Sequence, residues 1–147
     1  MSVDLRELYQ TMITDHARHP RNFRVIEQAS HHAEGFNPLC GDRLCLYIHL
    51  EQDRIKDASF QGEGCAISTA SASLMLESLL GKTEKKAQEL FHTFQNILTQ
   101  KEEPTHDQIN ALGKLAVFLG VRAYPIRIKC ATLAWHALRC ALKNNKY

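Results

Sequence analysis

The sequence predicts an α+β fold: a small three-stranded antiparallel sheet with helices packed on one face. Three observations predict it. Leu44, Leu46, Ile48 and Leu50 alternate with Cys45, Tyr47 and His49, the period-two pattern of a strand with one apolar face. Weaker strand patterns flank it, at 33–37 and at 54–61, where Ile55, Ala58 and Phe60 supply the apolar positions. Helical spacing dominates before these strands and after them. Strands grouped together, with helices outside the group, indicate segregated α+β layers.

The elements follow in chain order. Leu5, Leu8, Tyr9, Met12 and His16 share one helical face, so residues 3–18 read as an amphipathic helix. His19-Pro20-Arg21-Asn22 ends it, because Pro20 disfavours helix in the residue before it. Residues 20–32 are polar and loop-like, and Glu51-Gln52-Asp53 is a turn between the second and third strands. Ala66 to Leu80, rich in Ala, Ser and Leu, reads as a helix stopped by Gly81. Thr83 to Leu98 places Ala87, Leu90, Phe91, Phe94, Ile97 and Leu98 at helical spacing. Thr105-His106-Asp107-Gln108 fits a capping box, in which Thr and Gln satisfy orphan backbone donors. The helix it opens is expected to carry Ile109, Leu112, Leu115, Ala116 and Leu119 and to end at Gly120. Pro125 precedes a last helix through Leu133, Ala134, Ala137, Leu138 and Ala141.

With 147 residues and no repeat, low-complexity tract or linker, residues 1–147 are expected to form a single domain. Apolar residues make up 44% of the chain, which excludes a disordered protein. The formal net charge is only +2 and the basic residues are scattered, so no nucleic-acid partner is expected. Met1 to Glu7 carries acids and no apolar core, unlike a secretory signal. No stretch approaches the roughly 18 consecutive apolar residues of a membrane span. The expectation is a soluble cytoplasmic protein with no membrane partner.

Five cysteines, Cys40, Cys45, Cys65, Cys130 and Cys140, give an odd count in a reducing compartment. A disulfide framework is not expected, and metal ligands or reactive thiols come into view. In Asn37-Pro38-Leu39-Cys40-Gly41-Asp42, Gly41 permits a sharp turn that lets Cys40 and Asp42 face one spot. A thiolate and a carboxylate together suit zinc or iron; a loop with a buried Cys and a turn-forming Asp reads equally well. Gly62-Glu63-Gly64-Cys65 puts Cys65 near a helix start, where the positive end of the helix dipole favours thiolate. An inert cysteine in a strand-to-helix turn is the alternative. Arg127-Ile128-Lys129-Cys130 opens the last helix, so a helix start and two cations are expected to favour thiolate at Cys130 too. A solvated basic turn with a core cysteine is the other reading. None of these is a CxxC pair; the shared feature is placement at element junctions, and three thiolates with one carboxylate would complete a tetrahedral site. Cys45 lies on the strand's other face, and Cys140 falls roughly 15 Å along the last helix from Cys130, so both read as ordinary small side chains. Eight histidines are spread along the chain; a Cys–His hydrolase is possible in principle but no local sequence favours one pair, and His31-His32 could bind metal only opportunistically, since a metal histidine usually needs a second-shell partner.

These motifs resemble the U-type iron–sulfur cluster assembly family, which includes the IscU scaffolds, the NifU N-terminal domain and the SufU proteins. Leu8-Tyr9, Asp15-His16 and His19-Pro20-Arg21-Asn22 resemble its N-terminal helix and loop. Asn37 to Asp42, Phe60 to Ser68 followed by Ala70 to Ser73, and Arg127 to Trp135 resemble its three ligand motifs in order. The resemblance covers nearly the whole chain and is closest to the SufU branch. The stretch between Cys65 and Cys130 exceeds that of IscU-type scaffolds by about one helix with its loops, a normal helix length, and Gly113 to Arg122 falls in it. Ala123-Tyr124-Pro125-Ile126-Arg127 stands where those scaffolds carry the Leu-Pro-Pro-Val-Lys chaperone-recognition sequence, so chaperone-assisted release is not implied. They also have His before the last cysteine, where this chain has Lys129, whose ammonium is no ligand. Asp42 is left as the fourth donor.

The resemblance implies a SufE/NifU-like sheet-and-helix fold and a metal held by Cys40, Asp42, Cys65 and Cys130. It implies a zinc-bound sulfur carrier, with sulfurtransferase-like activity, that takes persulfide sulfur from a SufS-like cysteine desulfurase on Cys40. Arg127 and Lys129 would stabilise negative sulfur or contact the desulfurase. The alternative is a scaffold on which the same residues bind iron in a transient 2Fe–2S cluster for delivery to apo iron–sulfur proteins. A structural zinc module unrelated to sulfur is a third reading.

Overall fold

The computed structural model describes residues 5–143. Helix α1 spans Leu5–Arg18. Strands β1 (His31–Asn37), β2 (Asp42–Glu51) and β3 (Arg54–Glu63) form one antiparallel sheet in the order β1-β2-β3. Helices α2 (Ala66–Leu79), α3 (Glu84–Thr99) and α4 (His106–Leu112) follow, then a 3-10 stretch at Gly113–Ala123 and helix α5 (Pro125–Lys143). The expected helix over residues 3–18 is met from Leu5 onward; its first two residues lie outside the described ones. Among the described residues no helix is long and apolar enough to cross a membrane.

The alternation in β2 sets the layering. Leu44, Leu46 and Ile48 are buried while Arg43, Cys45, Tyr47 and His49 are exposed or half-buried, so only one sheet face is packed under helices. β2 turns into β3 through Gln52 and Asp53, both at positive φ (54° and 65°), the geometry of a type I′ hairpin whose twist matches the strands. A register irregularity falls between His49 and Leu50.

Helix α2 is central. Its residues from Ala70 to Met75 are buried without a break, which explains the Ala/Ser composition: small side chains let neighbours close in on all sides. The hydroxyls are satisfied internally. Ser71 donates to the Ala131 carbonyl of α5 and accepts from Trp135 Nε1 at 3.3 Å. Trp135 and Phe94 pack ring on ring, with centroids 5.0 Å apart, and Phe118 meets the edge of Phe94.

Most boundaries agree with the sequence within a residue or two; Thr105 caps as expected, with the full capping box, and Thr83 also proves to be an N-cap, accepting the Lys86 N–H. One expectation is overturned. The helix opened at Thr105 does not run to Gly120; it ends at Leu112, and Gly113 takes a positive φ of 57°. Leu115, Ala116, Val117 and Phe118 are buried consecutively in the 3-10 stretch that follows. Gly113, the C-cap at positive φ, closes α4, and the chain continues beyond it in the tighter 3-10 geometry.

Candidate metal centre

The candidate residues converge at one end of the sheet. Asn37 closes β1 and pairs with Asp42, which opens β2. The intervening turn carries Cys40, supported by a bond from Cys40 N to the Asn37 carbonyl (3.3 Å) and by Gly41 at φ 70°. Cys40 is exposed. Asp42 is fully buried, because it shares the packed face of β2 with Leu44.

Cys65 is the N-cap of α2, with extended backbone angles (φ −70°, ψ 168°). Its sulfur accepts the Ser68 N–H at 3.4 Å, filling the role that Ser or Asp plays at other N-caps. Its own N–H donates to Asp42 Oδ1 at 2.7 Å, which leaves Oδ2 facing Cys65 Sγ at 3.8 Å. Two glycines make this approach feasible. A Cβ on Gly62 would stand 2.1 Å from the Arg43 carbonyl oxygen, and one on Gly64 would stand 2.8 Å from Asp42 Oδ1.

Cys130 comes from α5 and is 2% exposed. Its sulfur is 3.1 Å from Cys40 Sγ and 3.8 Å from Asn37 Nδ2. The expectation that Cys130 opens the helix is corrected: α5 begins at Pro125, so Cys130 lies in its second turn. Arg127 and Lys129 are exposed, and the Arg127 guanidinium lies over the Tyr124 ring at 4.5 Å. The expected preference for thiolate is therefore reversed in the metal-free chain. Burial first, then hydrogen bonds with Cys40 and Cys65, push the Cys130 thiol far above its ordinary range.

Ligand atoms of Cys40, Asp42 and Cys130 all lie within 4.8 Å of one another. Cys65 stands beside this group through its contact with Asp42. Cys45 and Cys140 are elsewhere, Cys45 half-buried on the outer sheet face beside Glu34 and Cys140 exposed on α5. Sequence reasoning quoted Asn37 and Ser68 only as parts of motifs; nothing in their spacing announces that each gives an N–H to a sulfur. His16, placed by its spacing on the apolar face of α1, is 4% exposed and bonded through Nδ1 to Ser73 Oγ at 2.7 Å.

Residues 8–131 match the family of the NifU-like N terminal domain. The chain belongs to the NifU-like N-terminal domain family. Relatives of this NifU-type chain include the iron–sulfur cluster assembly scaffold protein IscU of Streptococcus pyogenes serotype M1, 36% identical over 96% of this chain and 86% of that one. The zinc-dependent sulfurtransferase SufU of Bacillus subtilis is 41% identical over 93% of this chain and 90% of its own. Among solved structures, an iron–sulfur cluster assembly scaffold protein for the SUF system from Fervidobacterium islandicum AW-1 superposes with a TM-score of 0.84. It is 37% identical, over 93% of this chain and 98% of that one.

The donors of this NifU-type site fit a soft or borderline cation. A buried ionised carboxylate is costly unless paired or bound to a metal, and Asp42 forms no ion pair among the described residues. Three sulfurs surround it instead, the donor class that selects zinc or iron. A cation of that kind would supply positive charge beside Asp42 and hold the thiolates deprotonated.

Proposed function

We propose that this chain is a cytoplasmic sulfur acceptor of iron–sulfur cluster assembly. In this reading residues 1–147 act as one domain, and zinc is held by Cys40, Asp42, Cys65 and Cys130. Cys40 takes sulfur from the persulfide of a cysteine desulfurase. One observation carries the reading: the ligands differ in how they are held. Asp42 is fully buried in a strand, Cys130 is buried in a helix and Cys65 caps another, while Cys40 is exposed on a glycine-containing turn.

Zinc at such a site orders thiolates and keeps them deprotonated without redox chemistry of its own. The Cys40 thiolate attacks the outer sulfur of the desulfurase persulfide. The new bond joins Cys40 Sγ to that sulfur, the old S–S bond breaks, and the desulfurase cysteine leaves as a thiolate, with no net oxidation. Exposure of Cys40 gives the in-line approach this displacement needs. The Arg127 guanidinium and the Lys129 ammonium, both exposed on the first turns of α5, supply positive charge for the anionic persulfide or for the desulfurase surface. The name of the Bacillus subtilis relative supports this reading.

A second reading has the same residues build a 2Fe–2S cluster as cargo and hand it to apo-proteins. The carboxylate favours it, since one oxygen ligand among sulfurs gives a cluster a labile corner, and the Streptococcus relative is named a scaffold. Incubation with a matching desulfurase and cysteine, followed by mass spectrometry under non-reducing conditions, separates the two. Persulfide on Cys40 with zinc retained is the expected result. Sulfur only on Cys45 or Cys140, or desulfurase stimulation that survives Cys40→Ala, would refute the carrier and favour the scaffold.

A further inference from the structure

Cys40 and Cys130 place their sulfurs 3.1 Å apart, yet sulfur transfer requires that one of them let go of the metal while the other holds. The hydrogen-bond donors around the sulfurs are unequally distributed. Cys65 Sγ receives the Ser68 N–H, and Cys130 Sγ receives Asn37 Nδ2. Among the described residues Cys40 Sγ has no N–H donor, its partner being Cys130 Sγ. Asn37 is 6% exposed, so its amide is withheld from water. The other end of the same amide, Oδ1, accepts the Leu39 N–H at 3.2 Å and so shapes the turn that carries Cys40.

An N–H directed at a metal-bound thiolate draws charge from the sulfur. It weakens the sulfur as a nucleophile and fixes its orientation, as second-shell donors do at metal sites. We infer that Asn37 is the positioning residue that selects the transferring thiol: it donates to Cys130 Sγ, keeping Cys130 the unreactive, permanent ligand and leaving Cys40 to dissociate and react. The inference rests on the metal-site reading above. It adds what that reading lacks, a reason for chemistry at Cys40 that does not depend on exposure alone.

Two variants separate the two ends of the amide. Asn37→Asp keeps an oxygen for the Leu39 N–H but removes the donor to sulfur; Asn37→Ala removes both. The zinc-loaded wild-type protein and both variants are treated with limiting iodoacetamide, and alkylation of each cysteine is followed by mass spectrometry. In this reaction thiolate sulfur bonds to the methylene carbon and iodide leaves. Wild-type protein should be alkylated first at Cys40. In both variants the rate at Cys130 relative to Cys40 should rise about tenfold, and in Asn37→Ala, which brings no new carboxylate to the site, zinc affinity should fall by about the same factor, the low end for loss of a second-shell partner. An unchanged order in both variants overturns the inference. So does a change in Asn37→Ala that is absent from Asn37→Asp, which would assign the effect to the turn alone. Failure of wild-type protein to hold zinc overturns the metal-site reading and this inference together, so the two failures are told apart.

Discussion

Asp42→Asn is expected to stabilise the metal-free protein while weakening its metal site, and the opposite signs make it informative. The Asp42 carboxylate is wholly buried, accepts the Cys65 N–H at 2.7 Å and lacks an ion-pair partner among the described residues. Asn keeps an oxygen for that N–H, so the cap of α2 survives. Its NH2 can point at Cys65 Sγ, where Oδ2 now stands 3.8 Å away. Burying a carboxylate without an ion-pair partner is costly, by several kcal/mol where it is ionised, while weakening the bond from the Cys65 N–H returns about 1–2 kcal/mol. The metal-free variant should therefore gain about 1–3 kcal/mol. With zinc bound the balance inverts, since the variant lacks the anionic ligand. Each tenfold loss of affinity removes about 1.4 kcal/mol of zinc-induced stabilisation. The assay is urea denaturation in chelator and in buffered zinc. A variant less stable than wild type in chelator, yet with unchanged zinc-induced stabilisation, would refute both the buried-carboxylate penalty and the placement of Asp42 among the metal ligands.

Two further outcomes test the supports of the site. Gly64→Ala puts a Cβ 2.6 Å from Ser68 Oγ and 2.8 Å from Asp42 Oδ1; the hydroxyl can rotate away but the buried carboxylate cannot. Metal affinity should fall at least about tenfold with the fold retained by circular dichroism, and an unchanged affinity refutes the placement of Asp42. His16 titrates below its ordinary value of 6.5, chiefly from burial and then from Arg21, with Glu77 and Asp15 opposing. The unfolded chain therefore takes up a proton that the folded chain resists, so stability is full above pH 6.5 and declines as pH falls below it. His16→Gln should flatten the loss in urea midpoint between about pH 7.5 and about pH 5.5. It should not abolish that loss, because burial and Arg139 shift His136 in the same direction. An equal slope in variant and wild type would remove His16 from the account.

The sheet was legible because β2 obeys strict alternation, and the capping box because four residues specify it locally. The 3-10 stretch was not. Leu115, Ala116 and Leu119 fit a helical stripe, but Val117 and Phe118 break it, and only the surrounding helices decide which pattern is buried. The site was half legible. Motifs single out Cys40, Asp42, Cys65 and Cys130, and the glycines beside them announce close backbone approach. Whether Cys130 favours thiolate depends on burial, which Arg127 and Lys129 as neighbours in sequence wrongly suggested would be offset. The role of Asn37 depends on a contact between residues far apart in the chain, with β1 at one end and α5 at the other, and no local pattern encodes it.

Register ties these features together. Asn37 and Asp42 are partners across the β1–β2 pair, so their side chains leave the sheet on the same face. That face is the one packed against the helices, where Leu44 pairs with Gly35 and Leu46 with Ala33. A slip of one residue would turn every side chain of β2 over. Arg43 would then enter the site in place of Asp42, and the leucines would leave the core. The apolar alternation that buries β2 thus also fixes which charged side chain faces the sulfurs. Gly35 adds a second constraint, because a Cβ there would meet Leu133 of α5 at 3.2 Å. Its bareness lets α5 lie close to β1, and that closeness brings Cys130 within reach of both Cys40 and Asn37. Of the sulfurs, Cys40 alone rides on an exposed turn outside this packing, so in the proposed transfer the ligands that would stay are fixed by the core and the one that would move is not.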